Sequence, residues 1–400
     1  MPRSGWKKPE SDRRLSDVVS VGLLNRVFPG EVVDAAISAC GRTERRRRSL
    51  PARAVAYFTI GMALHSQGSY EDVLGLVTDG LAWVDRDVDE VRLANKAAIS
   101  HARDRLGSAP MVELFTRVAR PLAALDTPGS WLAGRRLVAI DGTCLDMADT
   151  PANDEFFGRP GTAKGERAAF PQARVVALAE CGTHAIFAAA VTPYTTSEPV
   201  ASQKLVDRLT AGMLCLADRG FYSFALFTRA AATGADLVWR VRGTLTLDPV
   251  EDLPDGSWTA HVYHSTEDRA RAHPVTVRVV EYTIDDGRTP GEPIRLVTTI
   301  LDPADASAEQ LATVYSQRWE IETAFDELKT HQRGPRAVLR SKKPDLVLAE
   351  IWGHLCCHYA IRTLMFQAAN HAGHDPDRVS FTAALRIIRR SITQQGPFPP

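Results

Sequence analysis

Short apolar runs bounded by turn residues dominate the second and third thirds of the chain, while the amino-terminal third carries the longer helical period. Leu137-Val-Ala-Ile140, Met213-Leu-Cys-Leu-Ala217 and Asp236-Leu-Val-Trp-Arg-Val241 read as buried strands, because each is too short for a helix and rich in strand-forming side chains. Residues 173–179 and 184–191 flank Glu180-Cys-Gly-Thr183, the pattern of a hairpin. A helix is expected over 198–209, burying Val200, Leu205, Val206 and Leu209, and another over about 223–233. The predicted order is therefore strand, hairpin, helix, strand, helix, strand. Between Val241 and Leu296, prolines and glycines punctuate short alternating segments at 258–263 and 275–282, which predicts an all-β insertion.

A long helix should follow. Ser307-Ala-Glu-Gln310 reads as a capping box, and Gly334-Pro335 ends the pattern. At about 100° per residue, Tyr315, Arg318, Glu322 and Lys329 would fall within about 60° of arc along roughly 21 Å of helix. Val314, Ile321, Phe325 and Leu328 lie beside that stripe, so the helix would bury an apolar face and carry the polar row at the core's edge. A carboxylate flanked by a phenol, a guanidinium and an ammonium suits work on phosphates, although polar residues at helical spacing also describe a plain solvated face.

Two further acids stand where strands end. Asp141-Gly142-Thr143 closes the first apolar run and Asp218-Arg219-Gly220 closes the second, with each glycine expected to turn the chain. If the two strands are parallel neighbours, their carboxylates meet at one edge of the sheet. Asp146, Asp149 and Asp326 lie near enough in sequence to replace one of the acids or support it.

The spacing Tyr-x2-Arg-x3-Glu-x6-Lys resembles the signature of the bacterial insertion-sequence-4 family of DDE transposases, and the resemblance extends over nearly the whole chain. It implies an α/β fold: a ribonuclease-H-like mixed-sheet core with an inserted β-rich domain and an all-helical amino-terminal domain. The expected division is 1–130 for DNA binding and 131–400 for catalysis, with the insertion at about 243–296. The resemblance assigns catalysis and metal binding to Asp141, Asp218 and Glu322, and contact with the transposon-end backbone to Tyr315, Arg318 and Lys329. Two Mg²⁺ ions, with Mn²⁺ as a substitute, would support hydrolysis at the element's ends and strand transfer into target DNA. The expected partners are terminal-repeat and target DNA, and a second copy of the chain when DNA is bound.

Several features stay open at this level. Trp239 fits either core packing or stacking on a flipped base, the latter implied by related transposases that cut through a hairpin, and Trp258 is a second such candidate. The helix beginning near Asn95 offers Lys96, His101, Arg103 and Arg105 either to a terminal repeat, as part of a helix-turn-helix, or simply to water. Helices are also expected over 50–64 and from Ser69. His354 and His358 stand one turn apart, as two zinc ligands would, but in a strongly apolar stretch that favours a packed helix.

Lysine plus arginine equal aspartate plus glutamate, 48 each, so attraction to DNA would have to come from local blocks. Such blocks occur at Arg42, Arg45, Arg46, Arg47, Arg48 and Arg53, and at Arg333, Arg336, Arg340, Lys342 and Lys343. Six scattered cysteines without paired metal-finger spacing, a polar start and the lack of a long apolar run predict a reduced, cytoplasmic protein. Two other classes remain: a catalytically silent DNA-binding repressor or host-adopted relative, and a structure-selective nuclease on the same fold.

Overall fold

The computed structural model describes residues 22–46, 50–84, 94–161, 165, 167–264, 274–283, 293–334 and 337–389. Arg47, Arg48, Arg336 and the proline-rich tail lie outside the described residues.

A ten-stranded mixed sheet organises the molecule. Its strands are β1 (Trp131–Leu132), β2 (Arg135–Asp146), β3 (Gln172–Glu180), β4 (Ile186–Pro193), β5 (Met213–Ala217), β6 (Asp236–Val241), β7 (Pro249–Asp252), β8 (Trp258–Val262), β9 (Val275–Tyr282) and β10 (Ile294–Thr298). The order across the sheet is β4-β3-β2-β5-β6-β10-β9-β8-β7, with β1 pairing beside β2. β3 lies antiparallel to β2 and β4, whereas β5 runs parallel to both β2 and β6. The β-rich segment after β6 has no separate sheet: β10 pairs with β6 and carries β9, β8 and β7 outward as an extension of the central one.

Period-two alternation divides the apolar side chains of β2 between the two faces of the sheet. Leu137, Ala139 and Leu145 join the larger core, which also takes Ile321, Ala324 and Phe325 and much of the long helix Pro344–Ala372. Val138 and Ile140 join the second core, with Leu205, Val206, Phe227 and Trp239. Trp239 is fully buried, edge-on to Phe227 at 5.5 Å between ring centroids. In this conformation it packs in the core and presents no face on which an extrahelical base could stack. Val200, expected inside, is 56% exposed, because the helix at Glu198 stops at Ser202 and the chain continues through a turn into a 3₁₀ segment at Val206–Arg208.

The amino-terminal helices Gly30–Ala39, Ala52–Leu64, Tyr70–Val84, Lys96–Leu106 and Ala109–Val118 are locally specified. Ser69 and Asp72 cap each other reciprocally, and the Asn95 side chain accepts from the Ala98 N–H. These helices share the larger core with the sheet, and Ala52–Leu64 packs on Pro344–Ala372. The contact is tight: a Cβ on Gly353 would lie 2.6 Å from the Thr59 carbonyl oxygen.

Several basic residues offered as DNA contacts are used here as internal ties. Arg103 is buried and donates to the Tyr70 hydroxyl at 3.0 Å and to Ser341 Oγ at 2.8 Å. Arg340 donates to the Gly68 carbonyl at 2.7 Å, Arg333 is buried against the Ala337 carbonyl, and Lys343 meets Asp104. Lys96, His101 and Arg105 are exposed. His354 and His358 are buried in the packed helix, against Gln332 and Glu327 respectively, and no group of three His, Cys, Asp or Glu among the described residues is arranged to hold a metal ion.

Candidate active site

The site forms where β5 stops and β2 does not. Parallel pairing of β2 with β5 ends at Ile140 opposite Ala217, so Asp141 and Asp218 are the next residues on adjacent strands. Beyond that point β2 continues to Asp146, paired with β3 alone. Gly142 therefore does not turn the chain as expected, and the side of β2 that faces Asp218 is left open.

The signature segment lies over this opening, but not as one regular helix. It runs as an α-helix (Ala308–Ser316), a 3₁₀ turn (Gln317–Trp319), a second α-helix (Glu320–Asp326) and a π-helical turn (Glu327–Gln332). The predicted capping box is present, with Ser307 Oγ accepting from the Gln310 N–H and Gln310 Oε1 from the Ser307 N–H. The π turn opens on an acid that points inward. Glu327 is buried and paired with Arg362, with His358 Nε2 3.0 Å away and His184 Nδ1 3.6 Å away. Burial alone would raise the Glu327 carboxyl; hydrogen bonds from His184 and His358 and the charge of Arg362 outweigh it and hold the group well below the usual carboxylate range.

Arg318 is the hub of the predicted site. Its guanidinium is buried, with Nη1 3.4 Å from Asp141 Oδ2 and 3.3 Å from Glu322 Oε1, and it feels the charge of Asp218 as well. Tyr315, also buried, points its hydroxyl at Asp218 Oδ1, 3.4 Å away. Burial, and then the Asp218 charge, push that phenol above its ordinary range, so it stays a donor. The three acids and two of the three expected DNA-contacting residues thus form one cluster. Lys329 is exposed, close enough to Cys144 on β2 to act on it electrostatically.

Asp141 is the most strained acid electrostatically. Burial pushes its carboxyl up to about 6; the Gly142 N–H and Arg318 oppose that shift, while Glu322 and Glu198 add to it. The other acids considered from sequence are engaged elsewhere: Asp146 with Gln172, Asp149 with Arg159 and Asp326 beside His331.

Two neighbours had no place in the sequence reading. Trp319 is 59% exposed and carries the Arg318 guanidinium 4.8 Å from its ring centroid. Glu198, at the start of its short helix, has its carboxylate against Gly142. The only trace of it in the sequence was an acid in the first turn of a helix expected to follow the hairpin.

Residues 132–360 match the family described as transposase DDE domain. The chain belongs to the DDE transposases. Residues 18–116 of this transposase match the insertion element 4 transposase amino-terminal family. Transposase InsG for insertion sequence element IS4 of Escherichia coli (strain K12) is 29% identical to it, over 92% of this chain and 82% of the relative. Among solved structures, the piggyBac transposase synaptic complex with hairpin DNA aligns over 92% of this chain and 79% of its own, at 13% identity and a TM-score of 0.47, too distant to carry an argument. Among the described residues no helix is long and apolar enough to cross a membrane.

Proposed function

We propose that this transposase uses Asp141, Asp218 and Glu322 as the acids of a Mg²⁺-dependent centre that cleaves DNA at the ends of its own element and joins them to target DNA. The observation that carries the reading is the meeting of Asp141 and Glu322 on Arg318, with Asp218 beside them on the Tyr315 hydroxyl, at the point where β5 ends and β2 continues. The strand order β4-β3-β2-β5-β6, antiparallel then parallel, supports a ribonuclease-H-like core, with β7–β10 as an elaboration and the helices before residue 130 as a DNA-binding module.

The donor chemistry suits a hard cation, although Asp141, Asp218 and Glu322 are not gathered into a ready-made metal cage here. Mg²⁺ takes one or two carboxylates and fills its shell with water and substrate phosphate oxygens, so an open site with a few carboxylates suits it better than a closed cage. Burial chiefly raises the Asp141 carboxyl, Glu322 and Glu198 add to it, and the Gly142 N–H and Arg318 offset it only in part, so a bound cation would favour the ionised form. When bound, two Mg²⁺ ions would lower the cost of generating an oxygen nucleophile and of releasing the 3′-oxygen. The residues do the remainder. Asp141 and Asp218 are fixed by the sheet, while Glu322, more exposed, approaches from the helix. Once cations satisfy the acids, Arg318 is free to fork onto a phosphate and Tyr315 to donate one hydrogen bond, and Lys329 adds a point charge. Such contacts hold DNA in register without reading its sequence. Two element ends need two active sites, so a dimer on DNA belongs to this reading.

The test is a labelled duplex carrying the element's terminal repeat, incubated with Mg²⁺ and either the wild type or Glu322→Gln. The proposal predicts nicked and joined products that vanish in the variant while binding persists. Binding without cutting by the wild type would favour the repressor reading, and cutting unaffected by the substitution would remove Glu322 from the chemistry.

A further inference from the structure

Successive side chains of a strand point to opposite faces, so Gly142 turns its absent side chain away from the face that bears Asp141 and the signature helix. That space is filled by an acid. A Cβ on Gly142 would lie 2.6 Å from Glu198 Oε1 and 2.9 Å from Glu198 Cδ, so the carboxylate occupies the space a side chain at 142 would take, and a larger residue there would displace it. The same carboxylate reaches the second aspartate's turn: a Cβ on Gly220, two residues past Asp218, would be 4.0 Å from Glu198 Oε2. Glu198 therefore spans the notch between β2 and the 218–220 turn, where β5 has ended and no strand separates the two faces of the sheet.

Its two oxygens differ. Oε1 accepts from Arg174 Nη1 at 2.8 Å, and Arg174 is itself steadied by the Tyr194 carbonyl at 3.3 Å and by the Tyr194 ring. Oε2 is the oxygen nearer Gly220.

We propose that Glu198 is a fourth carboxylate of the catalytic centre, held by Arg174 and reaching the cation, directly or through a water ligand, from the face of the sheet opposite the signature helix. This rests on the assignment of Asp141, Asp218 and Glu322 as cation-binding acids. The carboxylate lies against Gly142 and comes near the Gly220 turn. It also gives the centre a ligand on each side of the sheet, so that DNA phosphates need approach only from the helix side.

Titration of the full-length protein with Mn²⁺ alone, followed by the electron paramagnetic resonance signal of the free ion, tests this without turnover. Glu198→Gln should weaken Mn²⁺ binding by about tenfold or more, the range seen when groups that support a metal site are removed. Glu322→Gln should do the same. Arg174→Gln, which breaks the ion pair but keeps the carboxylate, should bind Mn²⁺ at least as tightly as the wild type. Glu198→Asp keeps the charge on a shorter arm and should fall between wild type and Glu198→Gln, which provides a reading if the amide variant fails to fold by circular dichroism. Wild-type affinity in Glu198→Gln with impaired Glu322→Gln would overturn this inference alone. Equal weakening in Arg174→Gln and Glu198→Gln would reduce Glu198 to a structural partner. Unaltered binding in Glu322→Gln would bring down the underlying assignment as well.

Discussion

Replacing Glu327 by glutamine should cost this fold more than any exposed substitution, although Glu327 touches none of the proposed catalytic acids. The carboxylate is 4% exposed, and its partners Arg362 and His358 are 2% and 0% exposed. Arg362 donates to both its oxygens, with Nε at 2.8 Å. The amide keeps the volume but leaves a buried guanidinium without its acid, a change that costs about 3–5 kcal/mol in buried pairs. Urea unfolding should register a loss of about that size. The double variant Glu327→Gln with Arg362→Met should recover part of it, because the uncompensated charge is then gone. Acid adds a sign. Glu327 is held below its ordinary carboxyl range, so its stabilisation is complete above the unfolded-state value near 4.5 and fades as pH falls toward the lower folded value. The gap between wild type and variant should accordingly narrow below about pH 4.5. A single-variant loss under about 1 kcal/mol, the scale of an exposed pair, would refute the claim that this buried charge anchors the fold.

Other consequences follow from single residues. The folded-state carboxyl of Asp141 is raised from 3.8 to about 6, so its ionised form opposes folding and stability declines as pH rises through that window. Asp141→Asn should then be more stable than wild type at pH 7 by up to about 3 kcal/mol in urea titrations while losing cleavage, and an equally stable or weaker variant would contradict the assigned strain. Below about pH 6, proton and cation compete for the same oxygens, and Mn²⁺ affinity should fall by about tenfold per pH unit. Gly353→Ala should lower stability by about 1–3 kcal/mol through overpacking, since its Cβ would meet the Thr59 carbonyl oxygen at 2.6 Å; an unchanged urea midpoint would show that the helix pair can separate freely.

What could be read from the sequence was what local chemistry decides. The capping box at Ser307 and the helix starts at Ser69, Asn95 and Ser223 each close on the backbone N–H three residues on, and β5 and β6 begin and end where their apolar runs do. Features with distant causes stayed hidden. The inward-facing Glu327 of the broken signature helix is matched by Arg362 and His358, more than thirty residues away. Arg103 looked like a helix-surface cation until Tyr70 and Ser341 were seen to enclose it. Glu198 reads from sequence only as part of a helix, because the emptiness that admits it belongs to Gly142 on a strand more than fifty residues earlier. The tryptophan singled out from sequence, Trp239, lies in the core, while Trp319, within the polar stripe itself, faces solvent beside Arg318.

The most direct test of the central claim is a change of ligand softness at the acids. In Asp141→Cys and Asp218→Cys a thiolate replaces a carboxylate, and thiolates favour softer ions than Mg²⁺. If these side chains ligate the cation, cleavage of the terminal-repeat duplex should disappear in Mg²⁺ and return in Mn²⁺, with Asp141→Ala and Asp218→Ala inactive in both. Cysteine variants that stay as inactive in Mn²⁺ as the alanine variants, or that remain active in Mg²⁺, would contradict metal ligation by these aspartates.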